Sequence, residues 1–238
     1  MAGHSKWANI KHKKAKEDAA RGKAFTKISK EITICAKESG GDPAGNPRLR
    51  TLLEKARGIN MPNDNIKRAI QKGTGELPGT SYEHYMYEGY APHGVAILVE
   101  VLTDNKNKAI AEMRHAFSKN GGTISAGGSV SWMFEQKGII KATNCTLSED
   151  ELLEALLEYP VEDIAIEDGM AIITCDMKAL QEITDAIKKL GVTVEHAEIE
   201  WVAKDPIEKS DTEMEDIITF LDALESLDDV QNIYSTLK

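Results

Sequence analysis

The chain has 238 residues, of which 41% are hydrophobic and 29% charged, and this balance is typical of a folded globular protein rather than a disordered one. Its longest stretch without a charge, 120–134, has 15 residues and contains four glycines, which excludes a membrane span. The three cysteines are odd in number and form no CxxC motif, so neither a disulfide framework nor a zinc site is expected, and the cytoplasm is the predicted compartment.

The formal net charge of −10 hides a division of the chain. Residues 1–72 contain 17 Lys and Arg against 7 Asp and Glu, a balance of +10, whereas the other 166 residues contain 12 against 32, a balance of −20. Such asymmetry indicates a basic module in an otherwise acidic protein. A solvated basic face without any partner is the alternative interpretation.

Apolar residues recur at helical spacing through the first part of the chain. One stripe follows Gly22, a second begins after the Asn46-Pro47 start signal, and a third, shorter one runs to Gly73. Helices of this length can bury one another and little else. We therefore predict a small helical bundle over 1–73, followed by a linker from Gly73 to Gly79.

Beyond the linker the pattern changes to strands. The segment 137–204 has the order strand, helix, hairpin, helix, strand, with a Ser148/Glu151 capping box at the first helix and an Asp168-Gly169 turn in the hairpin. This βαββαβ order is that of a ferredoxin-like unit. The predicted apolar face of its first helix consists of Leu152, Leu153, Leu156 and Leu157.

The flanking segments are each too small to form a core. A strand, a helix and a strand are predicted over about 82–136, and one helix and one short strand over 205–238. We therefore predict that 74–136 and 205–238 form one discontinuous α/β domain, into which 137–204 is inserted. The predicted fold class is α+β, an N-terminal helical bundle followed by two ferredoxin-like α/β domains, the middle one discontinuous.

No catalytic motif is present in the sequence. The glycine-rich segment 120–131 lacks the Gly-Lys-Ser/Thr ending of a phosphate-binding loop, and the six histidines show no ligand spacing. We therefore expect no catalytic residue, no metal and no cofactor, and predict that the protein is not an enzyme.

The basic run from Lys6 to Lys16 is the candidate contact with nucleic acid. Lysines bind phosphates as point charges and release counterions, but they select no base sequence. Trp7 has two interpretations, stacking on a base or anchoring the segment to the helical bundle. Cations of the next helices, Lys30 included, are expected to extend the positive surface. The predicted nucleic-acid-binding residues are Lys6, Trp7, Lys11, His12, Lys13, Lys14, Lys16, Arg21, Lys23, Lys27, Arg48 and Arg50.

Six segments give the chain a resemblance to the YebC/PmpR family: MAGHSKWANIKHKKAK, RGKAFTKISKEI, GGDPAGNPRLR, NMPNDNIKRAIQKGTGE, YEGYAPHGVAILVEVLTDN and GGSVSWMFEQKG. That family includes bacterial proteins described as probable transcriptional regulators and the mitochondrial translational activator of cytochrome oxidase subunit one. The resemblance implies a three-domain cytoplasmic protein without catalytic residues. It also implies either DNA binding at promoters or an action on translation at the ribosome.

Together these observations predict a non-enzymatic, nucleic-acid-binding regulator of gene expression. A DNA-binding transcriptional regulator is the first hypothesis, and a translation factor associated with RNA or the ribosome is the second. In both, DNA or RNA contacts the basic N-terminal domain. A third hypothesis is a protein-interaction adaptor whose acidic α/β lobes dock a basic protein partner; no membrane partner is expected.

Overall fold

The computed structural model describes residues 17–79, 81–167 and 169–238. Within these ranges the chain forms seven α-helices and eight β-strands, which confirms the predicted combination of helices and sheets. The chain groups into two compact units, one formed by 130–209 with 234–238 and the other by the described residues up to 129 with 210–233. None of the described helices is long and apolar enough to cross a membrane.

The first three helices pack into a small bundle. They are α1 (Glu17–Ser39), α2 (Pro47–Gly58) and α3 (Asn63–Thr74). Asn46 begins α2 as predicted, because its side-chain oxygen accepts the Leu49 N–H at 3.0 Å. The buried faces of the helices share one apolar core, whose members include Ile28, Ile32, Leu49, Leu52, Leu53 and Ile66.

Two glycines of the bundle have different consequences. α1 passes through Gly22 without a break, although the sequence indicated a helix only after it. One glycine inside a helix costs about 1 kcal/mol, which the burial of the following apolar stripe exceeds. Gly73 permits a close approach of α3 to α1, since a Cβ at this position would lie 2.4 Å from the Thr33 carbonyl oxygen.

The first sheet takes strands from two separated stretches of the chain. Its elements are β1 (Glu83–Tyr90), β2 (Ala96–Thr103), α4 (Lys106–Lys119), β3 (Thr123–Ser125), α7 (Asp211–Glu225) and β8 (Val230–Ser235), and the strand order is β3-β1-β2-β8. Phe117 of α4 meets Phe220 of α7 edge to face, with ring centroids 5.0 Å apart. The helices on this sheet therefore share a core although about 100 residues separate them in sequence.

The first sheet is not ferredoxin-like, and this part of the predicted fold is wrong. β1 and β2 pair antiparallel over their whole length, from Glu83 with Thr103 to Tyr90 with Ala96. In a βαββαβ unit a helix connects the first two strands, so they do not form a hairpin. Here the turn between them holds His93 at φ 62° and Gly94 at φ 77°, left-handed conformations that reverse the chain within a few residues.

The second sheet has the predicted βαββαβ order. Its elements are β4 (Phe134–Thr143), α5 (Glu149–Ala155), β5 (Val161–Glu167), β6 (Met170–Cys175), α6 (Leu180–Lys189) and β7 (Thr193–Ala203). The strand order is β5-β6-β4-β7 and each neighbouring pair is antiparallel. The predicted capping box at the start of α5 is present, with Ser148 and Glu151 each bonded to the backbone N–H of the other.

Two of the four leucines assigned to the core of this unit lie at the surface instead. Leu152 and Leu156 are buried, whereas Leu153 is 51% and Leu157 is 71% exposed. α5 has only seven residues, so a single narrow face can meet the sheet. The predicted apolar face therefore included four leucines, of which only Leu152 and Leu156 are buried in the core of this unit.

The boundaries predicted for three domains remain a prediction. The second sheet comes from one continuous stretch, 134–203, and the first from the stretches on either side of it. The helical bundle and most of the first sheet belong to the same compact unit.

Candidate nucleic-acid interface

The described residues include only part of the predicted contact surface. The following predicted residues lie outside them: Lys6, Trp7, Lys11, His12, Lys13, Lys14 and Lys16. Arg21 lies within α1. The structure therefore shows the side-chain environment of four predicted residues, two on α1 and two on α2.

The two predicted lysines of α1 donate hydrogen bonds to backbone carbonyls near the start of β8. Lys23 Nζ donates a hydrogen bond to the Ser226 carbonyl at 2.9 Å, and Lys27 Nζ donates to the Gln231 carbonyl at 3.3 Å. Both acceptors lie in or beside the short connection between α7 and β8. These bonds hold α1 against that connection, and contact of Lys23 and Lys27 with nucleic acid stays a prediction.

Lys30, one turn further along α1, is buried, so its expected place on the positive surface is wrong. It is 7% exposed, and its Nζ lies 2.5 Å from Asp229 Oδ1. The same ammonium donates to the carbonyls of Asp228 and Leu102, and Thr103 donates to the other Asp229 oxygen at 2.9 Å. Because every charged atom of this pair has partners, the network can sit inside the fold.

The predicted arginines of α2 are exposed. Arg48 Nη1 lies 3.5 Å from Glu38 Oε2, a surface ion pair of small energetic value. Arg50 forms no ion pair with any described residue, and neither does Arg57, which is also exposed. Since seven residues are close to two helical turns, Arg50 and Arg57 share one side of α2.

The sequence reasoning missed three cations of α3. Lys67, Arg68 and Lys72 are exposed, and in the part of the chain that the structure describes none of them has an ion-pair or hydrogen-bond partner. Arg68 and Lys72 are four residues apart and therefore project from the same face of the helix. This spacing, opposite the buried Ile66, was visible in the sequence.

A cleft of about 330 Å³ opens between α1 and α3, beside Arg68 and Lys72. Among the described residues, its wall contains no Asp or Glu and has cationic, hydroxyl, amide and aromatic side chains. The lining residues are Phe25, Thr26, Ser29, Lys30, Thr33, Asn65, Arg68, Ala69, Lys72 and Tyr82. Such a wall can hold an anion beside an aromatic group.

The two buried thiols, those of Cys35 and Cys175, are poor nucleophiles. Burial raises the pKa of Cys175 to about 11, and burial likewise raises the pKa of Cys35. Both groups are therefore protonated at neutral pH, whereas the thiolate is the reactive form. Among the described side chains, no three of His, Cys, Asp and Glu come close enough together to hold a metal ion.

One histidine of the first sheet has a charged partner. His84 Nε2 lies 2.6 Å from Glu100 Oε1, and Asn232 donates to the other oxygen of Glu100 at 2.8 Å. The hydrogen bond to Glu100 raises the pKa of His84, because it favours the protonated ring.

Two family profiles match nearly the whole chain. A profile described as the TACO1/YebC protein N-terminal domain matches residues 5–76, and one described as the TACO1/YebC second and third domain matches residues 82–237.

Individual relatives match over the same length. A probable transcriptional regulatory protein from Halothermothrix orenii is 48% identical over 99% of this chain and 94% of its own, and one from Koribacter versatilis is 49% identical over 100% and 95%. The crystal structure of a conserved hypothetical protein from Aquifex aeolicus aligns with a TM-score of 0.88 at 45% identity, covering 98% of this chain and 97% of that one.

Proposed function

Because this chain belongs to the TACO1/YebC family, we propose that it regulates gene expression by binding nucleic acid through its basic N-terminal region, without catalysis of its own. DNA at the regulated genes is the first candidate target. Relatives named probable transcriptional regulatory proteins support this choice.

The division of charge is the observation that carries the proposal. The first 72 residues have a balance of +10 in a protein of net charge −10. Within this region, Arg50, Arg57, Lys67, Arg68 and Lys72 are exposed and unpaired among the described residues. Phosphates are attracted to such a surface, while the acidic remainder repels them and restricts the orientation of binding.

The test uses the full chain and a four-lysine reversal, Lys11, Lys13, Lys14 and Lys16 to Glu. Duplex DNA affinity is measured across a series of salt concentrations. Each lost phosphate contact lowers the salt slope by about 0.9, so a loss of three to four is expected together with a large loss of affinity. The matched control reverses four exposed lysines elsewhere, Lys119, Lys178, Lys188 and Lys189. Equal losses in both variants would overturn the proposal.

RNA, at the ribosome or elsewhere, is the second candidate target. The cleft between α1 and α3 favours it, because cations beside aromatic rings suit unpaired strands, which RNA offers more often than DNA. Crosslinking in cells followed by sequencing of both nucleic acids separates the two candidates. Promoter DNA that disappears with the four-lysine reversal supports the first, and ribosomal RNA that disappears supports the second.

A further inference from the structure

We propose that the cleft between α1 and α3 binds one unpaired nucleotide of a single strand of RNA or DNA, with the phosphate on Arg68 and Lys72 and the base against Phe25 and Tyr82. The inference rests on the proposed function, since it specifies which form of nucleic acid the basic domain takes and where.

The phosphate half of the site follows from α3. Arg68 and Lys72 stand one helical turn apart and both line the cleft. A guanidinium offers a fork of N–H donors that matches two phosphate oxygens, and an ammonium adds a point charge. No described residue pairs with either side chain, so a phosphate would displace only water.

The base half of the site consists of two aromatic side chains, Phe25 of α1 and Tyr82, which directly precedes β1. Phe25 and Tyr82 are both half-buried, which fixes the rings yet leaves part of each surface accessible. Among the described residues, neither the Ser29 hydroxyl nor the Asn65 amide has a hydrogen-bond partner for its side chain. Aromatic surface stacks on any base, and an amide can bond to a base edge.

The charge of the wall favours an anion over a cation. Of the described residues that line the cleft, three have cationic side chains and none is acidic. Behind the wall, Asp229 already accepts hydrogen bonds from Lys30 and Thr103, and the Lys30 ammonium lies 5.7 Å from the centre of the Tyr82 ring. The Asp229 carboxylate is therefore neutralised by groups of the protein, while the second carboxylate that raises the pKa of Tyr82, that of Asp104, is exposed to solvent and does not line the cleft.

The size of the cleft selects an unpaired strand. Small-ligand sites begin at about 300 Å³, and the cleft has about 330 Å³, enough for one nucleotide. In a duplex the bases are stacked and paired, so no base can enter the cleft unless it leaves the stack. Single strands pay no such cost.

The experiment measures fluorescence anisotropy of the full chain with three labelled probes, a 12-nucleotide oligo-uridine, a 12-nucleotide oligo-thymidine and a hairpin duplex. The test variant is Arg68→Ala with Lys72→Ala. The matched control is Arg114→Ala with Lys119→Ala, which removes the same charge from exposed positions of α4, outside both the cleft and the basic region. Melting temperatures check that all variants fold.

We expect the test variant to lose about tenfold in affinity for the single strands and about 1.4 in salt slope, since each single-strand phosphate contributes about 0.7. The control should change the affinity less than threefold. Tyr82→Leu should lower single-strand affinity about tenfold as well, while hairpin binding stays the same. Similar results for uridine and thymidine strands support the proposal, and a preference for one identifies the strand's source.

A direct readout locates the base. Photocrosslinking with 5-iodouridine in the oligo-uridine should label the peptides that contain Phe25 or Tyr82. Equal losses in the test and control variants, or crosslinks confined to other peptides, would overturn the cleft site. In that case single-strand binding that still depends on Lys11, Lys13, Lys14 and Lys16 leaves the proposed function intact. If the unmodified chain binds none of the probes, it is the proposed function that fails.

Discussion

α1 and α3 both present cations at helical spacing, but the structure uses them differently. Lys23, Lys27 and Lys30 of α1 all donate to the connection between α7 and β8 or its neighbours. Arg68 and Lys72 of α3 have no such partner in the part of the chain described and face an open cleft.

The difference shows that a count of charges does not locate a binding surface. Lysines can stabilise a fold where carbonyl groups come within reach, and then the same residues contribute less to an external ligand. No described carbonyl or carboxylate accepts a hydrogen bond from the cations of α3, so their charge is directed at solvent and at any anion that binds there. Variants of the two helices therefore separate stability from binding.

The largest effect is expected from Lys30→Met. Removing the ammonium leaves the Asp229 carboxylate buried without its ionic partner, which typically costs about 3–5 kcal/mol. Urea unfolding monitored by circular dichroism measures this loss of unfolding free energy. Adding Asp229→Asn to the variant should restore part of it. A loss below about 1 kcal/mol would show that the pair does not hold α1 in place.

A smaller effect is expected when both surface lysines of α1 are removed. Lys23→Ala with Lys27→Ala breaks two hydrogen bonds to carbonyls and should lower the unfolding free energy by about 1 kcal/mol. Arg68→Ala with Lys72→Ala should leave it within about 0.5 kcal/mol, because these side chains contact no described partner. The comparison fails if the α3 variant proves the less stable of the two in the same urea titration.

The smallest effect concerns pH. The pKa of His84 is raised by Glu100, so the stabilisation from this pair is complete below the ordinary histidine pKa of about 6.5 and disappears as the pH rises through the raised value. His84 is half exposed, and the contribution should be about 0.5 kcal/mol or less. Melting temperatures of the native chain and His84→Gln should therefore converge between pH 6 and pH 9. A constant difference would contradict this assignment.

Local patterns in the sequence predicted much of the fold. Asn46 and Ser148 begin helices through hydrogen bonds between residues three apart, which a sequence displays directly. The second sheet was predictable because all its strands lie in one stretch. The first sheet was not, because its strands come from two separated stretches of the chain and its hairpin depends on a left-handed conformation at His93, which is uncommon for residues other than glycine.

The candidate site was predictable only in outline. Basic composition pointed to the region that contains the cleft, and the spacing of Arg68 and Lys72 was readable from the sequence. The role of Lys30 was not, because Asp229, its partner, lies 199 residues further along the chain. Nothing local distinguishes a lysine that will meet a carboxylate from one that stays in water.

That separation has a consequence for synthesis. The ribosome releases Lys30 long before Asp229, and at 5–20 residues per second the 199 residues between them take about 10–40 s to make. During this interval α1 has no carbonyl or carboxylate of the 226–231 segment to hold it. The strands of 134–203 can pair meanwhile, since all of them have been translated. The first sheet therefore receives its edge strand β8 only when Val230–Ser235 emerges, and a nascent chain that stops before Asp229 contains a helical bundle without the residues that hold α1.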